Sequence, residues 1–86
     1  MMEFYFSGTI ERIIFENPSS FFRILLLDID DTDADFDDFE IIVTGTMADI
    51  MEGEDYTFWG ELVHHPKYGE QLKISRYERA KPSSKG

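Results

Sequence analysis

The sequence predicts an all-β fold, and three observations predict it. Apolar residues recur with period two or in short β-branched and aromatic runs, and no window of about eleven residues keeps the 3.6-residue period of a helix. Turn-forming residues at Asn17–Ser20, Gly53 and Pro66–Gly69 cut these runs to strand length. With 42% hydrophobic and 15% aromatic residues in 86, the chain can build one core, although so short a domain buries only about 60–65% of its unfolded surface.

The first strand is expected from about Glu3 to Phe15, with Phe4, Phe6, Ile10, Ile13 and Phe15 available for the core. Gly8 permits a bulge or a sharp bend within it, and its length suits a curled sheet. Asn17-Pro18-Ser19-Ser20 is turn chemistry, because Asn accepts hydrogen bonds from the backbone just ahead of it and Pro presets φ. The chain then reverses into a second strand, Phe22 to Ile29. Asp28 to Glu40 carries eight acids and no base and is read as a long solvated connection. The third strand, Phe39 to Met47, separates Ile41 and Val43 from Ile42 and Thr44. Met47 to Gly53 has helix-compatible residues closed by a glycine, which predicts a short helical turn. The fourth strand, Asp55 to Val63, sets Tyr56, Phe58, Gly60 and Leu62 against Thr57, Trp59 and Glu61. A fifth, Gln71 to Glu78, turns Leu72 and Ile74 inward. Five short strands with a helical piece between the third and fourth give the layout of a small Greek-key barrel, the OB-fold, with an SH3-like barrel as the alternative. The barrel is assigned to residues 1–79, and residues 80–86, with a proline, serines and two lysines, to a linker.

Charge narrows the function. Eighteen acids against eight bases give −10 overall, a balance that repels phosphate backbones at long range and disfavours a general DNA-coating protein. The distribution is uneven: residues 1–62 hold sixteen acids against Arg12 and Arg23, a net −14, whereas residues 63–86 hold six bases against Glu70 and Glu78, a net +4. A polyanion would meet the basic end, at a strength that falls with salt. The absence of cysteine excludes disulfides and thiolate zinc sites and points to a reducing, cytoplasmic setting. The longest aliphatic run, Ile24–Leu27, is far short of the ~18 residues of a membrane span, and no membrane partner is expected.

Few residues invite chemistry. The acidic run placed on a calcium-loop template from Asp31 has Phe36 where a glycine is needed and Ile42 where a bidentate glutamate is needed, so it reads as a solvated loop. His64 and His65 are adjacent in an extended segment and point to opposite sides, which argues against one shared zinc ion. No serine sits in a nucleophile elbow and no glycine-rich phosphate loop is present, so no catalytic residue and no cofactor is assigned to these residues. Binding remains. The usual OB ligand surface is the face of strands two and three, rimmed by the loops after strands one and four. Lys67 and Tyr68 in the second of these loops, with Lys73 and Arg76 on the strand that follows, combine a stacking ring with phosphate-pairing cations, as single-strand binding requires. Tyr68 also suits a loop aromatic that caps the barrel end. Trp59, Arg23 and Tyr77 are secondary candidates, Trp59 with the parity of an outward ring that could serve an interdomain contact.

The segments Gly8–Asn17, Val43-Thr44-Gly45-Thr46, Gly53-Glu54, Trp59-Gly60 and His65-Pro66-Lys67-Tyr68-Gly69-Glu70-Gln71-Leu72 together resemble one family: the N-terminal domain of bacterial RecD-like DNA helicases, the RecD/TraA type often described as exodeoxyribonuclease V alpha subunit. The resemblance covers about residues 4–82, and the H-P-K-Y-G-x-Q-L stretch is its most specific part. It implies an OB-like barrel ahead of a helix-hairpin-helix region and an ATP- and Mg²⁺-dependent motor moving 5′ to 3′ on single-stranded DNA, with this chain ending about where the next domain begins. The motor's catalytic residues lie outside these positions. Where the family usually has a turn glycine before the aromatic of strand two, this sequence has Phe21, so the turn is built differently or Phe21 is exposed or buried in a partner. The implied roles are engagement of single-stranded DNA near the motor, through Lys67, Tyr68, Lys73 and Arg76, or docking on the helicase body or a replication or repair protein, through Trp59, Phe21 and the acidic run.

Overall fold

Five strands, β1 (Phe4–Glu16), β2 (Phe22–Thr32), β3 (Glu40–Thr46), β4 (Asp55–His65) and β5 (Gly69–Arg79), close into a barrel in the order β1-β2-β3-β5-β4. The computed structural model describes residues 2–80. Every neighbour pair is antiparallel except β3–β5, which is parallel and joined by only three residue pairs. β1 closes the barrel because its first half pairs with β4 and most of its length pairs with β2. That order, with one long bent strand shared by both halves, is the expected OB-fold.

The bending is local and has a steric cause. At Gly8, where the β1–β2 register shifts, an added Cβ would stand 2.0 Å from the Asp28 carbonyl oxygen. Gly60 lies beside the β4–β5 shift, and a Cβ there would meet the Lys73 carbonyl oxygen at 2.1 Å. The backbones therefore cross at a distance that only glycine permits.

The core matches the expected alternation in β3 through β5, where Ile41, Val43, Tyr56, Phe58 and Leu72 are buried; Leu25 and Leu27 on β2 and Phe6 and Ile10 on β1 are buried with them. Phe4, Ile13, Leu62 and Ile74 pack against them at partial burial. Phe15 departs from expectation and is half-exposed. Two further register shifts, between Ile10 and Arg12 and between Ile13 and Phe15, each insert one residue and reverse the parity downstream, so Ile14 and Phe15 both end on the outer surface.

No helix forms between β3 and β4; among the described residues the segment Met47–Glu54 consists of bends and turns. Its carbonyls are taken by tertiary donors. Arg23 Nη1 donates to Met47 O at 2.6 Å and to Ala48 O at 3.0 Å, and Tyr56 Oη donates to Asp49 O at 3.1 Å while accepting from Met51 N. Met47 N bonds back to Phe21 O, and Gly53 N to Ile10 O. Nucleating a single helical turn is costly, whereas this arrangement buries Met47 and Ile50 as a plug in the barrel. Gly53 still takes the positive φ, 85°, expected of a stop.

The acidic connection is also more ordered than expected. β2 runs on to Thr32, so Asp28, Asp30 and Asp31 stand on a strand. Asp33 Oδ1 accepts the Tyr5 amide at 2.9 Å, and Asp31 Oδ2 accepts the Tyr5 hydroxyl at 2.8 Å, a bond that raises the pKa of that phenol. Phe36 turns back to meet Phe6 edge-on, with ring centroids 5.4 Å apart. Of the expected linker, Ala80 donates its amide to Asp55 O at 2.9 Å, and residues 81–86 lie outside the described residues.

Candidate nucleic-acid interface

The β4–β5 hairpin places the first two candidates. His65 faces Gly69 across the turn, and Gly69 adopts φ 82°, which lets two strands join through Pro66, Lys67 and Tyr68. His65 Nδ1 accepts the backbone amides of Lys67 and Tyr68 at 3.1 and 3.3 Å. The same imidazole packs against the Tyr68 ring, with centroids 4.8 Å apart and the planes tilted by 36°. His65 is thus a turn-builder, and its Nδ1 lone pair is committed within the turn. Tyr68 remains 63% exposed, with Lys67 Nζ 5.5 Å from its ring centroid.

Lys73 and Arg76 follow on β5. Lys73 aligns with Thr44 of β3 on one side and Glu61 of β4 on the other, and it is exposed. Arg76 aligns with Trp59, and its guanidinium lies 3.7 Å from the indole ring, a close cation–π stack. Two residues that sequence reasoning separated, Arg76 for DNA and Trp59 for docking, therefore form one unit. The indole points outward as its parity requires but is partly covered. Among the described residues the ion pairs are Arg23–Glu16 at 3.6 Å and Arg79–Glu54 at 2.6 Å. Lys67, Lys73 and Arg76 take part in neither.

The secondary candidates Arg23 and Tyr77 are structural. Arg23 clamps the Met47–Ala48 carbonyls as described, and Tyr77 stacks on Phe58 at 6.1 Å and donates to the Asp49 carboxylate. Burial, then that carboxylate, raise its pKa. Phe21 is 45% exposed and has φ 62°, the left-handed conformation that L side chains rarely adopt. The turn is built by Asn17, whose Oδ1 accepts the Ser19 amide at 2.9 Å and the Ser20 amide at 3.3 Å, and Phe21 occupies the left-handed position a glycine would favour. Among the described residues no three carboxylate or imidazole groups converge as a metal site.

Sequence reasoning missed the character of the β2–β3 outer face. Ile24, Leu26 and Ile42 form an apolar floor there, bordered by Glu11, Asp28 and Glu40. The acids belong to three strands, and only the barrel's register unites them; no stretch of sequence carries that signal.

No solved structure matches this one. A family model, described as the OB-fold domain of the ATP-dependent DNA helicase YrrC, matches residues 2–82, which is nearly the whole chain. With the barrel order agreeing strand for strand with an OB-fold, the chain belongs to the family of OB-fold domains of ATP-dependent DNA helicases of the YrrC kind.

Proposed function

We propose that this domain is a non-catalytic accessory module of its helicase and that it guides single-stranded DNA along the outer side of β5. The observation that carries this reading is the distribution of uncommitted cations. Lys67, Lys73 and Arg76 occupy one hairpin outside the ion pairs formed among the described residues, with Tyr68 exposed at one end and the Arg76–Trp59 stack farther along. A strand tracking the hairpin gains phosphate contacts from the cations and stacking from the rings, worth about 1–3 kcal/mol per stacked base. In this reading the parent is a RecD-like 5′ to 3′ helicase of cytoplasmic DNA repair or recombination, and its motor handles ATP and Mg²⁺.

Anisotropy of a labelled oligo-dT, titrated at low and near-physiological salt, tests it. Saturable binding that weakens with salt is expected. Lys67→Ala with Lys73→Ala should lower the affinity and reduce the salt slope by roughly 0.7 for each lost phosphate contact. An unchanged slope removes the hairpin from the DNA path, and no binding at low salt sinks the proposal for this chain.

Phe21 favours a second reading, docking on the helicase body or on a replication or repair protein. A half-exposed aromatic held at positive φ costs conformational energy of about 1–2 kcal/mol, and contact with a partner gives the ring a use that a glycine could not serve.

A further inference from the structure

Two open cavities on the outer surface of β2 and β3 share Ile42 and Tyr68 as walls and so form one trough. One, of ≈ 340 Å³, is lined by Ile14, Ile24, Ile42 and Tyr68 with His65 and Gln71. The other, of ≈ 390 Å³, continues over Leu26 toward Phe39 and the carboxylates of Glu11, Asp28 and Glu40. The apolar residues are not scattered singly: Ile14 is 47%, Tyr68 63% and Phe39 83% exposed around one depression, an arrangement that marks an interaction surface.

We infer that this trough docks a protein segment carrying alternating apolar and basic side chains, the apolar ones on the Ile24–Ile42 floor and the lysines or arginines against Glu11, Asp28 and Glu40. Charge complementarity selects this occupant. Asp28 and Glu40 are directly opposite each other across β2 and β3, a like-charge pairing that destabilises a sheet. The Glu11 carboxyl beside Glu40, followed by the neighbouring negative charges, raises the Glu40 pKa even though Arg12 opposes the effect. Arg12 opposes the repulsion at Glu40 without cancelling it, so a cation on the trough relieves repulsion that the described residues leave in place. The same field repels nucleic acid from the acidic end of the trough, so the DNA path on β5 meets it only at Tyr68.

The test uses two labelled nine-residue probes, one alternating arginine and leucine and one alternating glutamate and leucine, titrated against the intact chain by anisotropy. The arginine peptide should saturate and the glutamate peptide should not. Glu40→Lys should weaken the arginine peptide at least about tenfold, and Phe39→Ser several-fold, whereas Glu78→Lys, the same charge change at a β5 residue that does not line the trough, should have a much smaller effect. Thermal melts of each variant separate lost binding from lost folding. Equal losses from Glu40→Lys and Glu78→Lys would mean that only net charge is sensed and would overturn the proposal. So would displacement of the peptide by oligo-dT with Glu40→Lys inert, which would give the trough to the nucleic acid.

Discussion

At Phe21 a single dihedral angle separates what the turn needs from what the sequence supplies. Its φ of 62° costs an L-residue about 1–2 kcal/mol, and its backbone is fixed there by a bond from its amide to Asn17 O and by the Met47 amide on its own carbonyl. Phe21→Gly removes the strain but adds about 0.5–1 kcal/mol of unfolded-state entropy, so a net gain of about 0.5–1 kcal/mol is expected. That corresponds to roughly 3–6 °C in Tm for a domain of this size. A lower Tm in the variant would show instead that the ring packs within the domain, and would remove the reason for assigning it to a partner. The position was visible in the sequence as a missing glycine, and the left-handed backbone is what that absence meant. Phe15 was misread for the opposite reason. Two bulges shift its parity, and a bulge in a β-branched run leaves no mark comparable to a glycine.

The Met47–Glu54 segment shows how an element's fate depends on donors elsewhere in the chain. Composition and the closing Gly53 fit a helical turn, yet the Arg23 guanidinium and the Tyr56 hydroxyl claim the carbonyls such a turn would use. Arg23 is a full strand away in sequence, and Tyr56 lies past the segment on β4 with its hydroxyl turned back, so the segment's own pattern does not reveal the competition. Strands fared better because their signal is the alternation itself: all five were legible, with ends misplaced by a few residues where β2 runs into the acidic stretch and β4 and β5 extend toward the turn. Arg23→Met should therefore destabilise the domain by about 2–3 kcal/mol, since charge-assisted hydrogen bonds contribute about 1.5–3 kcal/mol and two carbonyls lose their donor. Amide exchange should accelerate in residues 47–54 first. A loss below about 0.5 kcal/mol in urea denaturation, with exchange unchanged, would show that the plug is held by Met47 and Ile50 alone.

Across the whole molecule the charge asymmetry of the sequence becomes a division of surfaces. Among the described residues, the bases of the C-terminal third, Lys67, Lys73, Arg76 and Arg79, fall on one hairpin because β4 and β5 are consecutive antiparallel strands, so this half of the candidate site was readable in the order of residues. The trough was not, since Glu11, Asp28 and Glu40 come from β1, β2 and β3 and meet only through register. Their meeting has a consequence for stability. A carboxyl whose pKa is raised by folding binds its proton more readily in the native state, so its contribution is unfavourable at neutral pH and disappears as pH falls through the raised value. For Glu40 the window lies between its raised native value and the ordinary glutamate value below it. With −10 overall, self-repulsion acts in the same direction. The Tm at low salt should consequently rise as pH is lowered from neutrality toward the ordinary glutamate range, Glu40→Gln should reduce that rise while raising the Tm at neutral pH, and added salt should flatten it. A Tm that falls steadily over this range, or a Glu40→Gln variant with an unaltered pH profile, would show that the acids on this face are already compensated in the free protein, and the trough would then have no unmet charge to offer a basic partner.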